Sequence, residues 1–118
     1  DLLNEGSYVK RPWGWYKMID EGENFKVKRI QINPGKSISL QRHKKRSEHW
    51  VVVEGKATVT VGENIFELKE NESTYIENNQ IHRLFNNTKK ILQIIEVQSG
   101  SYLGEDDIER IEDEFSRI

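Results

Sequence analysis

Four side chains carry donor atoms of the kind that hold a divalent ion: Gln41, His43, Glu48 and His82. Imidazole nitrogen and carboxylate oxygen suit Zn, Mn, Fe, Ni or Co, and an amide oxygen can complete such a set. Gln41 and His43 stand two residues apart, so in an extended segment they share a face. Glu48 follows five residues after His43, across the turn-like Lys44-Lys45-Arg46-Ser47. It opens an apolar run in which Trp50 and Val52 share its face. A hairpin here can bring Gln41, His43 and Glu48 to one point. His82 comes three residues after the Asn78-Asn79 turn and can add a fourth ligand from a neighbouring strand. The alternative is a hydrogen-bonded polar cluster leading into a buried strand. His49 adjoins Glu48, so alternation sends it to the opposite face and out of the set.

The elements that must position these residues are short strands. Strand character is expected over 25–32, 37–41, 49–53, 57–61, 64–68, 73–76, 83–86 and 92–98. Turn signals separate them, among them Asn33-Pro34-Gly35, Glu54-Gly55, Gly62-Glu63-Asn64 and Asn78-Asn79. Many short strands with turns at near-regular spacing indicate a sandwich, barrel or jelly roll. Residues 1–16 read as an N-terminal arm, with the rigid, aromatic Arg11-Pro12-Trp13-Gly14-Trp15-Tyr16 packing on a barrel over 17–98. The tail over 104–118 differs. Ile108, Ile111 and Phe115 recur at helical spacing and acids cluster in the first turn, so a helix is expected, its acids forming a solvated face. Asn86-Asn87-Thr88 is a formal glycosylation triplet, read here as a chance match in a turn.

Composition narrows the function. The 118 residues suit a single domain with one core. Charged residues make up 32% yet the net charge is −2, which gives nucleic-acid or membrane-surface binding no support. With no cysteine there is no disulfide framework, no thiolate zinc site and no thiol nucleophile, which fits a cytoplasmic protein. No apolar run is long enough to span a bilayer and no signal peptide is apparent. Asp1 in place of an initiator Met is expected of a trimmed chain or a piece of a longer polypeptide. Glycine-rich nucleotide loops and the H-E-x-x-H and G-x-S-x-G motifs are absent.

The spacing Gly35, Gln41, His43, Glu48, Gly55 resembles the first cupin motif, with Gln41 standing where that motif has His. His82 and Asn86 resemble the end of the second motif. Its usual Gly, Pro and Gly are replaced by Asn71, Glu77 and Asn79, which leaves the shape of the 71–79 turn open. A closer likeness runs over nearly the whole chain. The strings RPWGWY, RSEHWVVVEG and VQSGSYLGEDDIER resemble the cupin domain of type II phosphomannose isomerases. That domain usually lies at the C-terminus of a mannose-1-phosphate guanylyltransferase.

The resemblance implies an all-β cupin, a double-stranded β-helix with a short C-terminal helix. It also implies interconversion of mannose 6-phosphate and fructose 6-phosphate with one divalent metal ion, zinc foremost and Mn, Co, Ni or Fe as alternatives. In this family Gln is the expected residue at position 41. Its chemistry needs a base that moves a proton between C1 and C2, stabilisation of an oxygen that gains charge, and cations for the phosphate. Glu96, Lys28 and Arg83 are the candidate catalytic residues, and Arg46 and Arg11 the candidate phosphate binders. Glu96 shares a face with Leu92, Ile94 and Gln98, which suits an inward base or a buried carboxylate paired with a cation. Lys26 and Lys28 share a face with Ile30 and Ile32, and that face is either the interior or the outside. The expected partners are a small phosphosugar, a second copy of the chain in a homodimer, and a fused nucleotidyltransferase domain in a longer protein. No nucleic acid and no membrane are expected. A non-catalytic sugar-binding cupin is the rival reading.

Overall fold

Alternation of apolar and polar residues builds the molecule, since a strand half-buried on one face needs that pattern. Residues 8–112 are described by the computed structural model, and all of their regular structure is strand. The first strands are β1 (Tyr8–Arg11), β2 (Gly14–Glu21), β3 (Phe25–Ile32), β4 (Leu40–Arg42), β5 (Arg46–Glu54) and β6 (Ala57–Val61). They are followed by β7 (Asn64–Leu68), β8 (Ser73–Ile76), β9 (His82–Phe85), β10 (Leu92–Gly100) and β11 (Glu109–Glu112). A six-stranded sheet runs β1-β2-β3-β10-β5-β8 and a five-stranded sheet runs β11-β4-β9-β6-β7. Every pairing is antiparallel. β3, β6, β7 and β8 have the limits expected from the sequence.

The two sheets share one core, and the core has two chemically different ends. Ile32, Val52, Ala57, Val59, Leu84, Leu92 and Ile94 are sealed from solvent at the apolar end. Each side chain of this kind contributes about 1.5–3 kcal/mol by leaving water, and Leu92→Ala would cost about 2–5 kcal/mol. Moving one way along the inward face of β10, Leu92 and Ile94 give way to Glu96 and Gln98. Its antiparallel neighbours change in step. Glu96 lies opposite Lys28 of β3 and Trp50 of β5, and Gln98 lies opposite Glu48. So the buried polar residues gather at one end, and Lys28, 4% exposed, belongs to the interior face.

Two expectations need correction. The arm does not stop at residue 16. β1 and β2 form a hairpin in which Arg11 pairs with Gly14 across Pro12-Trp13, and β2 extends the sheet along β3 as far as Glu21. The aromatic residues that suggested an arm are strand formers as well. The expected helix over 104–118 is also absent as far as the chain is described. Residues 109–112 pair with β4, Arg110 lying opposite Gln41. Ile108 and Arg110 face the barrel while Ile111 is exposed, a period of two rather than 3.6. Residues 1–7 of the expected arm and 113–118 of the expected helix, Phe115 included, lie outside the described residues.

The turn over 71–79 has a clear solution. Asn71 and Asn79 both take a positive φ, 73° and 67°. These are the positions where the cupin motif places Gly, and Asn is the side chain that best tolerates the left-handed region. Gly55 (φ 88°) could not be replaced in the same way, because a Cβ there would lie 2.5 Å from the Ile91 carbonyl oxygen. Asn86 is fully buried and its amide donates to the carbonyls of Ile32 and Lys90, so the triplet it opens is a structural turn.

Candidate metal centre

His43, Glu48 and His82 come from three different segments and meet inside the polar end of the barrel. Their ligand atoms all lie within 4.8 Å of one another and all three side chains are buried. Glu48 Oε2 is 3.3 Å from His43 Nε2, and Glu48 Oε1 is 3.9 Å from His82 Nε2. Ligands about 2 Å from a common ion need separations of this order. Gln41 is the register partner of His82 and lines the same cavity. Its Nε2 donates to Ser39 Oγ at 3.0 Å and to the Ser39 carbonyl at 3.3 Å, which leaves the amide oxygen as its coordinating atom.

The protonation states fit a cation. His43 Nδ1 donates to the Asp107 carbonyl at 2.6 Å, and His82 Nδ1 donates to the Gln80 carbonyl at 2.9 Å. With Nδ1 carrying the proton in both rings, each Nε2 presents a lone pair to the centre. Burial, and then the neighbouring Arg46 charge, push His43 down to about 4, so it is neutral at physiological pH. Burial likewise lowers His82. The chain itself supplies a test of what this donor set attracts. The guanidinium of Arg46 sits over it, with Nε donating to Glu48 Oε2 at 3.1 Å and Nη2 at 3.1 Å from His43 Nε2. Electron pairs that draw a guanidinium suit a divalent ion as well, and the two compete for the same atoms.

Glu96 stands beside this centre. Trp50 Nε1 donates to both Glu48 Oε1 (3.0 Å) and Glu96 Oε2 (3.2 Å), and Gln98 Nε2 donates to Glu96 Oε1 at 2.7 Å. Burial first, then the charge of Glu48, raise Glu96 to about 8, while Lys28 and Arg46 pull the other way. Gln41, Glu48, His82, Glu96 and Gln98 line a cavity of about 100 Å³ at this end of the barrel.

Of the other residues singled out from the sequence, Lys28, Arg46 and Arg11 line this cavity, Arg11 from its exposed rim. Arg83 does not line it. It alternates with the inward His82 and Leu84 on β9, so it points away from the barrel interior. His49 is exposed and packs on the Tyr75 ring, as alternation required.

Sequence reasoning missed the contribution of residues 103–112, which cross the cavity mouth as a strap. Glu105 Oε2 pairs with Lys28 Nζ at 3.0 Å. The Asp107 carboxylate accepts from the backbone N–H groups of Lys44 (3.0 Å) and Lys45 (2.9 Å). Glu109 pairs with Arg42 at 2.8 Å, and Arg110 lines the cavity. Among the described residues, Glu105, Asp107 and Glu109, taken for part of a solvated helix face, are therefore contacts. Their only signal in the sequence was their density in one short stretch.

The family model for the mannose-6-phosphate isomerase C-terminal region matches residues 2–113. The alginate biosynthesis protein AlgA of Pseudomonas syringae pv. tomato is 60% identical over 109 residues, which cover 92% of this chain and 23% of that protein. The mannose-1-phosphate guanylyltransferase ManC of Salmonella typhimurium is 52% identical over 110 residues, 93% of this chain and 23% of that protein. The chain thus spans less than a quarter of the length of these curated relatives. A conserved protein of Klebsiella pneumoniae with a double-stranded β-helix domain superposes with a TM-score of 0.73 at 18% identity, covering 92% of this chain and 87% of that one. The chain is an all-β cupin, and it belongs to the mannose-6-phosphate isomerase C-terminal family.

Proposed function

We propose that this chain interconverts mannose 6-phosphate and fructose 6-phosphate, using a divalent ion held by Gln41, His43, Glu48 and His82. The observation that carries the reading is the convergence of His43, Glu48 and His82 beside a buried carboxylate, Glu96, in the cavity of a chain from this family. When bound, the ion supplies Lewis-acid stabilisation of the sugar oxygen that gains charge. The donor set is compatible with Zn, Mn, Co, Ni and Fe, and zinc is the ion proposed from the family likeness.

Glu96 is the proposed base that carries the proton between C1 and C2. Its enclosure keeps its pKa near neutrality, where a carboxylate is effective at taking and returning a proton. The charge of Glu48 is one cause of that raised pKa, so a ligand role for Glu48 relieves it. Trp50 and Gln98 fix the Glu96 oxygens by donating to them. Arg46 and Arg11, which line the cavity, are the proposed phosphate binders. An ion on His43 and Glu48 frees the Arg46 guanidinium for that task.

The same proposal extends to a homodimer in the cytoplasm, supported by the exposed Val53 and Tyr75 on neighbouring strands at one sheet edge. In a longer polypeptide it extends to fusion with a guanylyltransferase, as the names and lengths of the relatives suggest. The test is a coupled assay for conversion of mannose 6-phosphate by the chain, before and after chelation. Activity lost with the chelator and restored by a divalent ion is the expected result. Stoichiometric ion with no turnover would overturn the isomerase reading in favour of a binding cupin.

A further inference from the structure

Two cations face the cavity from its walls, and both are buried. The side chain of Lys28 is 5% exposed and that of Arg46 is 6% exposed. The Lys28 ammonium lies 4.4 Å from the centroid of the Tyr16 ring and across the sheet from Glu96. Arg46 spends Nε on Glu48 and Nη2 on His43, yet its Nη1 is buried without a hydrogen-bond partner among the described residues. A buried guanidinium N–H with no acceptor is costly, and it marks a place where an oxygen is missing.

Both cations are bridged by one carboxylate, and that carboxylate comes from the strap. Glu105 Oε2 is 3.0 Å from Lys28 Nζ and 3.9 Å from Arg46 Nη1. The second distance is too long for a hydrogen bond, so Glu105 answers the charge of Arg46 without satisfying its N–H. The Glu105 side chain is 56% exposed, unlike those of either partner. Burial pushes its carboxyl up, but Lys28 first and then Arg46 and Lys26 outweigh this and hold it low, so it is an anion at neutral pH. An exposed anion on a loop thus occupies the space between two walled-in cations.

We propose that Lys28 and Arg46 form an anion subsite at the cavity mouth, in which Glu105 is a resident that the substrate's phosphate displaces. A phosphate offers a second negative charge and oxygens on several sides, so it can satisfy Arg46 Nη1 and Lys28 Nζ together. Displacement frees Glu105 and loosens the strap around it. Asp107 and Glu109, with their own partners at Lys44, Lys45 and Arg42, keep the strap attached. This inference rests on the phosphosugar reading for the identity of the anion.

The experiment titrates the full chain with inorganic phosphate by calorimetry and follows backbone amide exchange in the strap. In the wild type, phosphate should bind and speed exchange over 103–106. Glu105→Gln removes the competitor and should bind phosphate about fivefold more tightly, the effect expected of an ion pair with one exposed member. Lys28→Met should lose phosphate binding, and Lys28→Arg, which keeps the charge if the methionine variant fails to fold, should retain it. Equal phosphate affinity in the wild type and Glu105→Gln would overturn the proposal. So would an absence of phosphate binding in both, or binding that leaves strap exchange unchanged. Phosphate binding that follows this pattern without any isomerisation would sink the isomerase reading alone. Turnover with phosphate affinity indifferent to Glu105 would sink only the displacement.

Discussion

Asp107 offers the sharpest test of how the centre is held. Its carboxylate receives the Lys44 and Lys45 N–H groups, and its own carbonyl receives the proton of His43 Nδ1. Asp107→Ala leaves the carbonyl and the backbone bond to Gly104 in place but removes both side-chain bonds that anchor the segment to Lys44 and Lys45. Two hydrogen bonds to a carboxylate at a partly exposed turn are together worth about 1–2 kcal/mol. For a chain of this size that is a fall in Tm of roughly 4–10 °C. The larger effect should be on ion affinity. His43 would lose the acceptor that sets its tautomer and ring orientation, and losses of such outer partners weaken ion binding about 10–100-fold. Competition against a chromophoric chelator, with Co or Zn, measures this directly. Asp107→Asn retains one acceptor oxygen and should recover part of both losses. The wild-type carboxyl is held below its ordinary 3.8, its hydrogen bonds from Lys45 and Lys44 outweighing the effect of burial. Its contribution is therefore complete above that value and lost as pH falls through the lower folded pKa, so the two proteins should converge in stability in acid. Undiminished ion affinity in Asp107→Ala, alongside a lowered Tm, would falsify the claim that the strap orients His43.

Three further outcomes are expected. Trp50→Phe removes the N–H shared by Glu48 and Glu96 and should destabilise the chain by about 2–3 kcal/mol, read as a lower midpoint in urea. Without a bound ion, stability should decline as pH rises from about 6.5 to 8, because folded Glu96 keeps a proton up to about 8 that the unfolded chain releases near 4.5. His43, lowered to about 4, works in the opposite direction but only below about 6.5, so the upper window isolates Glu96, and Glu96→Gln should flatten it. A slope that survives Glu96→Gln assigns it to another group. Asn79→Ala should cost about 1 kcal/mol in thermal melts through its positive φ, whereas Asn79→Gly should be close to neutral; equal losses in both would show that the side chain matters, not the backbone.

Strand alternation made the cluster of candidate donors legible before any coordinates. Gln41 and His43 two apart, Glu48 in phase with Trp50, and His49 out of phase all follow from a period of two, and the barrel preserves each relation. The same rule, applied to β9, would have excluded Arg83 once His82 was taken as inward. The tail misled because Ile108 and Ile111 fit a helical spacing while the partners that decide its conformation lie far away. Glu105, Asp107 and Glu109 bond to residues 62–77 positions earlier in the chain. No local window contains those partners, so local propensity spoke alone. The depth of Lys28 was open for a related reason. A face that is apolar at one end and charged at the other reads equally as outside or inside until its neighbours are known.

The placement of β4 bears on how the molecule matures. This strand of three residues touches β9 through one register pair and is flanked on its other side by β11. Its Gln41 is thus set in place by the last described segment of the chain to leave the ribosome. Apolar collapse around Ile32, Val52 and Leu92 needs none of those residues. Loading of an ion should therefore lag behind collapse, because β4 is fixed on one side only once β11 has paired with it. Stopped-flow mixing of unfolded chain with Co would resolve the two events. Simultaneous tryptophan and Co signals would mean that the ligand strand is fixed without the strap.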